Sequence, residues 1–193
     1  MRPRRPRSEP ARAVTGHKLF FALRPDEATA ERIARVVTAQ HAARGLQPRL
    51  RPSRIFHITL HYFGRFDGEP DAERVAVASQ AASGLRWPAF DLGFERLASW
   101  GHAGARQHPF VLTGGQGLEA VRELRDALAD RLLAQGLPAT PDHEPHLTLR
   151  YDKHPAPAWY IDLPGWTASE FVLVASPQGL TRQDVLARWP LQG

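Results

Sequence analysis

"FHITLHYFG" occupies residues 56–64, and "PHLTLRYD" occupies residues 145–152. Each contains His, an apolar residue, Thr and Leu in that order, and the two histidines, His57 and His146, stand 89 residues apart. One such match carries little weight, but the surroundings repeat as well. "KLFFALR" (18–24) is a short apolar and aromatic run that reads as a buried strand. It is followed by a helical stretch over 26–44, by Gly45-Leu46, by a loop and then by the His57 segment. "PFVLTG" (109–114) reads as a strand, and the stretch 117–135, Gly136-Leu137, a loop and the His146 segment follow it in the same order. Phe20 lies 37 residues before His57, and Phe110 lies 36 before His146. An internal duplication accounts for this layout. Two such units packed about a pseudo-twofold axis would bring their histidine strands face to face.

The remaining elements fall between these units. Asp26 is placed to cap the first helix, with Ala30, Ile33, Ala34 and Val37 at helical spacing. In the helix of 117–136, Leu118, Val121, Leu124, Leu128 and Leu132 form one stripe, and Gly136 ends it. Residues 69–84 predict another helix. Residues 90–99, 168–176 and 184–191 predict strands, and 153–167 predicts a loop with a short extended piece.

Side chains alternate along a strand. His57, Thr59 and His61 are therefore expected on one face, with Ile58, Leu60 and Tyr62 on the other. His146, Thr148 and Arg150 are expected together, with Leu147, Leu149 and Tyr151 opposite. The apolar sets suit a core, and the two polar sets would face each other across a cleft. Two imidazoles can serve as proton acceptor and proton donor near neutral pH. Threonine hydroxyls and a guanidinium can hold the non-bridging oxygens of a phosphodiester as charge builds on them. This scheme uses no metal and no cofactor. "HEPH" (143–146) puts His143 and His146 three apart, but Pro145 opposes the helix that would make them converge on a metal.

The composition sets bounds on the rest. There is no cysteine, so disulfides and thiolate metal sites are excluded. No apolar run approaches the length of a membrane span, and no secretory leader is evident, so a soluble cytoplasmic protein is expected. The net charge of +5 is uneven. Arg2, Arg4, Arg5, Arg7 and Arg12 against Glu9 place +4 in the first 17 residues. Residues 1–16 are therefore expected to be a disordered basic arm, either a passive tail or an electrostatic tether for RNA, ahead of one two-lobed body over 17–193. Trp87, Trp100, Trp159, Trp166 and Trp189 include candidates for stacking on a base.

The doubled motif, with "FFALRPDE" before it and "FVLVASPQGLTRQDVLARWPL" at the end, resembles the two-histidine phosphoesterases, and most of all their bacterial 2'-5' RNA ligase and RNA 2',3'-cyclic phosphodiesterase branch. The resemblance covers roughly residues 17–193. It implies an α+β, bilobal, internally duplicated fold, with two antiparallel sheets and outer helices around a central cleft. It also implies metal-independent hydrolysis of 2',3'-cyclic phosphate ends of RNA or nucleotides to 2'-phosphomonoesters by a monomer. By that resemblance His57 is the proton donor and His146 the proton acceptor. Thr59, Thr148 and Arg150 bind the phosphate; His61 departs from the family pattern and is a candidate for either an added contact to phosphate or base or a solvated side chain. Reversible 2'-5' ligation and RNA-end binding without turnover stay open as alternatives.

Overall fold

Strand β1 (Gly16–Leu23) and strand β2 (Ile58–Asp67) pair antiparallel, and helix α1 (Glu27–Ala42) and a short 3₁₀ turn (Ser53–Ile55) lie between them in sequence. Strand β5 (His108–Thr113) and strand β6 (Leu147–Asp152) pair in the same way, with helix α3 (Leu118–Ala134) between them. These are the two units expected from the sequence. This computed structural model describes residues 15–46, 49–102, 104–139, 143–163 and 165–192. The first 14 residues of the expected arm lie outside the described residues, and β1 begins at Gly16, inside the expected arm.

Helix α2 (Ala72–Ser83), strands β3 (Phe90–Leu92), β4 (Arg96–Ser99), β7 (Trp159–Tyr160), β8 (Trp166–Ala168), β9 (Glu170–Pro177) and β10 (Asp184–Pro190) complete the chain. Eight strands form one antiparallel sheet in the order β10-β9-β1-β2-β6-β5-β4-β7. The duplicated α+β architecture is borne out, and its two four-stranded halves meet through a single residue pair, Ile58 with Leu147. The expected strand over 90–99 is broken. The Gly93 N–H donates to the Gln116 carbonyl at 3.0 Å rather than to a ladder, so β3 leaves to pair with β8 while β4 stays in the main sheet.

The helices cover one face of the sheet. Asp26 caps α1, its carboxylate accepting from the Thr29 N–H at 2.8 Å. Ile33 and Val37 point from α1 into the core, and Leu118, Val121, Leu124, Leu128 and Leu132 do so from α3. Each buried leucine of this kind stabilises by roughly 1.5–3 kcal/mol. At the start of α3, Gly117 has φ +80°, and a Cβ there would sit 2.0 Å from the Asp91 carbonyl oxygen, so only glycine fits. The helices also cross between halves. The last turn of α1 sets His41 against Phe110 and Trp159 of the second half, while α3 lies on β2 and α2, where Arg131 Nε donates to the Ala81 carbonyl at 2.9 Å. This exchange ties together two half-sheets that share so little ladder. The opposite face of the sheet is left open at its centre, where β2 and β6 meet.

Candidate active site

Strand pairing sharpens the repeat. Leu23, Ala22, Phe21 and Phe20 of β1 pair with Ile58, Thr59, His61 and Tyr62. Leu112, Val111, Phe110 and Pro109 of β5 pair with Leu147, Thr148, Arg150 and Tyr151. The same offset of 89 residues relates every member of one set to the other. Phe20 therefore corresponds to Pro109, and the one-residue mismatch found when it is matched to Phe110 disappears.

Each ladder skips a leucine, Leu60 in β2 and Leu149 in β6, and β2 skips Phe63 as well. These are β-bulges, and an extra residue reverses the alternation beyond it. Leu60 and His61 both turn inward, and so do Leu149 and Arg150. Tyr62 and Tyr151 turn outward into the cleft. Two sequence expectations are corrected by this. His61 is 2% exposed, with its ring 4.4 Å from that of Phe63 on the core side, and burial pushes its imidazole down to a pKa of about 4. Arg150 lies with its guanidinium carbon 4.6 Å from the Phe110 ring centre, and its Nε donates to Asp152 at 2.8 Å. Neither side chain lines the cleft. The signal was present in the sequence as a tyrosine five residues after each histidine, but strict alternation assigns both tyrosines to the core.

The remaining candidates do come together. His57, Thr59, His146 and Thr148 line one cleft of 640 Å³ with Lys18, Phe20, Arg51, Tyr62, Trp100, Tyr151 and others. The two imidazoles are held alike. His57 Nδ1 lies 2.9 Å from the Ile55 carbonyl oxygen, and His146 Nδ1 lies 2.9 Å from that of Glu144, in each case two residues back. An Nδ1–H donating to that carbonyl leaves Nε2 for the cleft. Each ring also rests on an aromatic neighbour. Phe20 stacks on His57 at 4.8 Å between centroids, and Trp100 packs on His146 at 4.5 Å. Behind His57, the Gln183 side-chain Nε2 donates to the same Ile55 carbonyl at 3.3 Å and lies 3.0 Å from Nδ1.

Electrostatics favour an anionic guest. Among the described residues no carboxylate lines the cleft, whereas Lys18 and Arg51 do. Burial, and then the positive fields of Arg51 and Arg24, push His57 down to a pKa of about 4. Burial lowers His146 too, and His143 adds to that shift, while the hydrogen bond to the Glu144 carbonyl and the Glu144 carboxylate oppose it. Arg51 was missed by sequence reasoning because it sits in a loop with no periodic signal. Its backbone N–H donates to the carbonyl of the bulged Leu149 at 2.7 Å, and its guanidinium stands 5.9 Å from the Tyr151 ring centre. The guanidinium expected from Arg150 is thus supplied from the other half. Among the described residues no three His, Cys, Asp or Glu side chains gather to hold a metal, and no helix is long and apolar enough to cross a membrane. Of the tryptophans, Trp100 reaches the cleft, while Trp166 and Trp189 pack with the core.

The family pattern of the 2'-5' RNA ligase superfamily matches residues 25–171. Among solved structures, the chain is similar to E. coli LigT in apo form, at 26% identity over 93% of this chain and 99% of that one, with a TM-score of 0.71. It is similar to LigT complexed with phosphate, at 25% identity over 93% and 99%, with a TM-score of 0.68. It is also similar to a phosphoesterase, at 27% identity over 92% and 99%, with a TM-score of 0.70. No curated protein matches the chain.

Proposed function

This chain belongs to the 2'-5' RNA ligase superfamily, and we propose that it hydrolyses 2',3'-cyclic phosphate ends of RNA or nucleotides to 2'-phosphomonoesters. The observation that carries this reading is the matched pair of imidazoles, each pinned through Nδ1 to a backbone carbonyl, in one cleft lined by Lys18 and Arg51. Water attacks phosphorus while His146 Nε2 takes its proton. The bond from phosphorus to the 3'-oxygen breaks, and that oxygen takes a proton from His57 Nε2. Thr59 and Thr148 donate their hydroxyls to the non-bridging oxygens, and Arg51 offsets their charge. That E. coli LigT is known in complex with phosphate supports phosphate as a guest of this fold.

The charge surroundings support this division of labour. His57 lies in the field of Arg51 and Arg24 and becomes the stronger acid once protonated, whereas at His146 the lowering by His143 is opposed by Glu144, which keeps His146 the better base. At neutral pH the free protein holds His57 neutral, so its proton must arrive with the substrate, whose negative charge raises the pKa. The test is to incubate the protein and a chelator with RNA ending in a 2',3'-cyclic phosphate and to identify the product. A 2'-phosphate is expected. A 3'-phosphate would overturn the assignment of the leaving oxygen, and an unchanged end would overturn the reaction. RNA joined through a 2'-5' linkage would identify ligation, in which a ribose hydroxyl replaces the water.

A further inference from the structure

On the cleft face of β1 and β2, the cross-strand pairs leading away from His57 are Ala22 with Thr59, Phe20 with Tyr62, and Lys18 with Arg65. Directly opposed residues point to the same face, and like charges in that position are destabilising. Among the described residues no carboxylate is within ion-pair distance of either cation. Arg65 instead bonds the Gln178 side-chain oxygen. Burial and the fields of Arg51 and Arg65 lower the Lys18 pKa, as expected where positive charge is held without a counterion. Between the threonine and the two cations stands Tyr62, 41% exposed, with its ring on the cleft. Each step along a strand is about 3.3 Å, so the four steps from Ala22 to Lys18 put the pair of cations about 13 Å along the ladder from the threonine, and the long Lys18 side chain lines the same cleft. Beyond Tyr62 the halves diverge, since β2 skips Phe63 before Gly64 pairs with Leu19, whereas β6 runs on without a skip to Asp152 opposite His108, and the second half has Gln107 where the first has Lys18.

We propose that Lys18 and Arg65 form a second phosphate subsite, which takes the 5'-phosphate of the nucleoside whose 2',3'-phosphate lies between the histidines. The substrate class is then the 3' end of an RNA strand, or a nucleotide bearing a 5'-phosphate, rather than a nucleoside cyclic phosphate with a free 5'-hydroxyl. The assignment rests on the proposed reaction for the place of the first phosphate.

Stable product-like ligands test it without turnover. Calorimetry would compare adenosine 2'-monophosphate with adenosine 2',5'-bisphosphate on the wild type, Arg65→Gln, Lys18→Gln, and Arg35→Gln on the exposed face of α1 as control. The wild type is expected to prefer the bisphosphate about tenfold, in line with charge-assisted hydrogen bonds. Arg65→Gln and Lys18→Gln should each shrink that ratio several-fold, whereas Arg35→Gln should not. Equal affinity for the two ligands, or a ratio that survives both cleft substitutions, overturns the subsite. A protein that prefers the bisphosphate in this way yet leaves cyclic phosphate intact would keep the subsite and reject the reaction.

Discussion

Aligned by strand register, the two halves agree in shape and differ in charge. Thr59 matches Thr148, Tyr62 matches Tyr151, the bulge at Leu60 matches that at Leu149, and each histidine ties Nδ1 to the carbonyl two residues back. The cations do not match. Lys18 stands where the second half has Gln107, a second bulge at Phe63 that β6 lacks sets Arg65 opposite Lys18, and Glu144 stands beside His146. Shape alone would make the two imidazoles interchangeable around a central phosphate. The charge difference separates an acid from a base and gives the cleft a direction. Duplication built the place for a phosphodiester, and later divergence at a few positions decided how it is oriented.

The largest effect should come from removing either histidine. His57→Ala and His146→Ala are each expected to lower turnover of a cyclic phosphate by about 10²–10⁴-fold, the usual worth of one positioned proton-transfer group. Because the two act in one step, the double variant should lose far less than the product of the single losses. A single-turnover assay checks both points, and full activity in either single variant ends the acid–base scheme. Thr59→Val and Thr148→Val keep shape and remove a hydroxyl. Each should cost about 10–100-fold, the value of a hydrogen bond to a charged oxygen. A large loss in one and none in the other would mean that the phosphate sits off the pseudo-axis.

A smaller signal tests the charge asymmetry directly. With His57 held at a pKa of about 4, the free protein carries no proton there at pH 7. A bound phosphate raises that pKa, so binding should take up protons, toward a limit of about one. Calorimetry of inorganic phosphate in two buffers of different ionisation enthalpy reads this number. The uptake should fall sharply in His57→Ala and persist in part in His146→Ala. Binding without proton uptake in the wild type would place the acid elsewhere.

Much of this was legible from the chain alone. The repeat, both histidines, both threonines and the core stripe of α3 follow from spacing and periodicity, which are local properties. The bulges are not local. They are set by how β2 fits β1 and how β6 fits β5, and one extra residue sends His61 and Arg150 to the core while bringing Tyr62 and Tyr151 out. Arg51 was invisible for a related reason. It enters the cleft because its backbone N–H reaches the Leu149 carbonyl, a contact between two segments far apart in sequence. The strand expected over 90–99 was lost to the same kind of long-range choice, since Gly93 bonds Gln116 rather than a neighbouring strand.

The two inverted positions, His61 and Arg150, allow the mildest test of the comparison. If both face the core, substitutions there should act on stability and leave chemistry nearly alone. His61→Leu should change turnover by less than about threefold, because its ring contacts Phe63 rather than the cleft. Its effect should appear in acid. An unfolded histidine titrates near 6.5, and His61 in the fold is held at about 4. Between those values the unfolded chain binds a proton that the native state refuses, so native stability falls as pH drops through that window. The shift corresponds to a loss on the order of 3 kcal/mol once pH is below both values. Wild type and His61→Leu should therefore differ little in acid sensitivity above pH 7, and the variant should lose clearly less stability on going to pH 4.5. Urea midpoints measured across that range decide the matter. An equal acid loss in both proteins would show that His61 is solvated. A large drop in turnover at neutral pH would return it to the cleft.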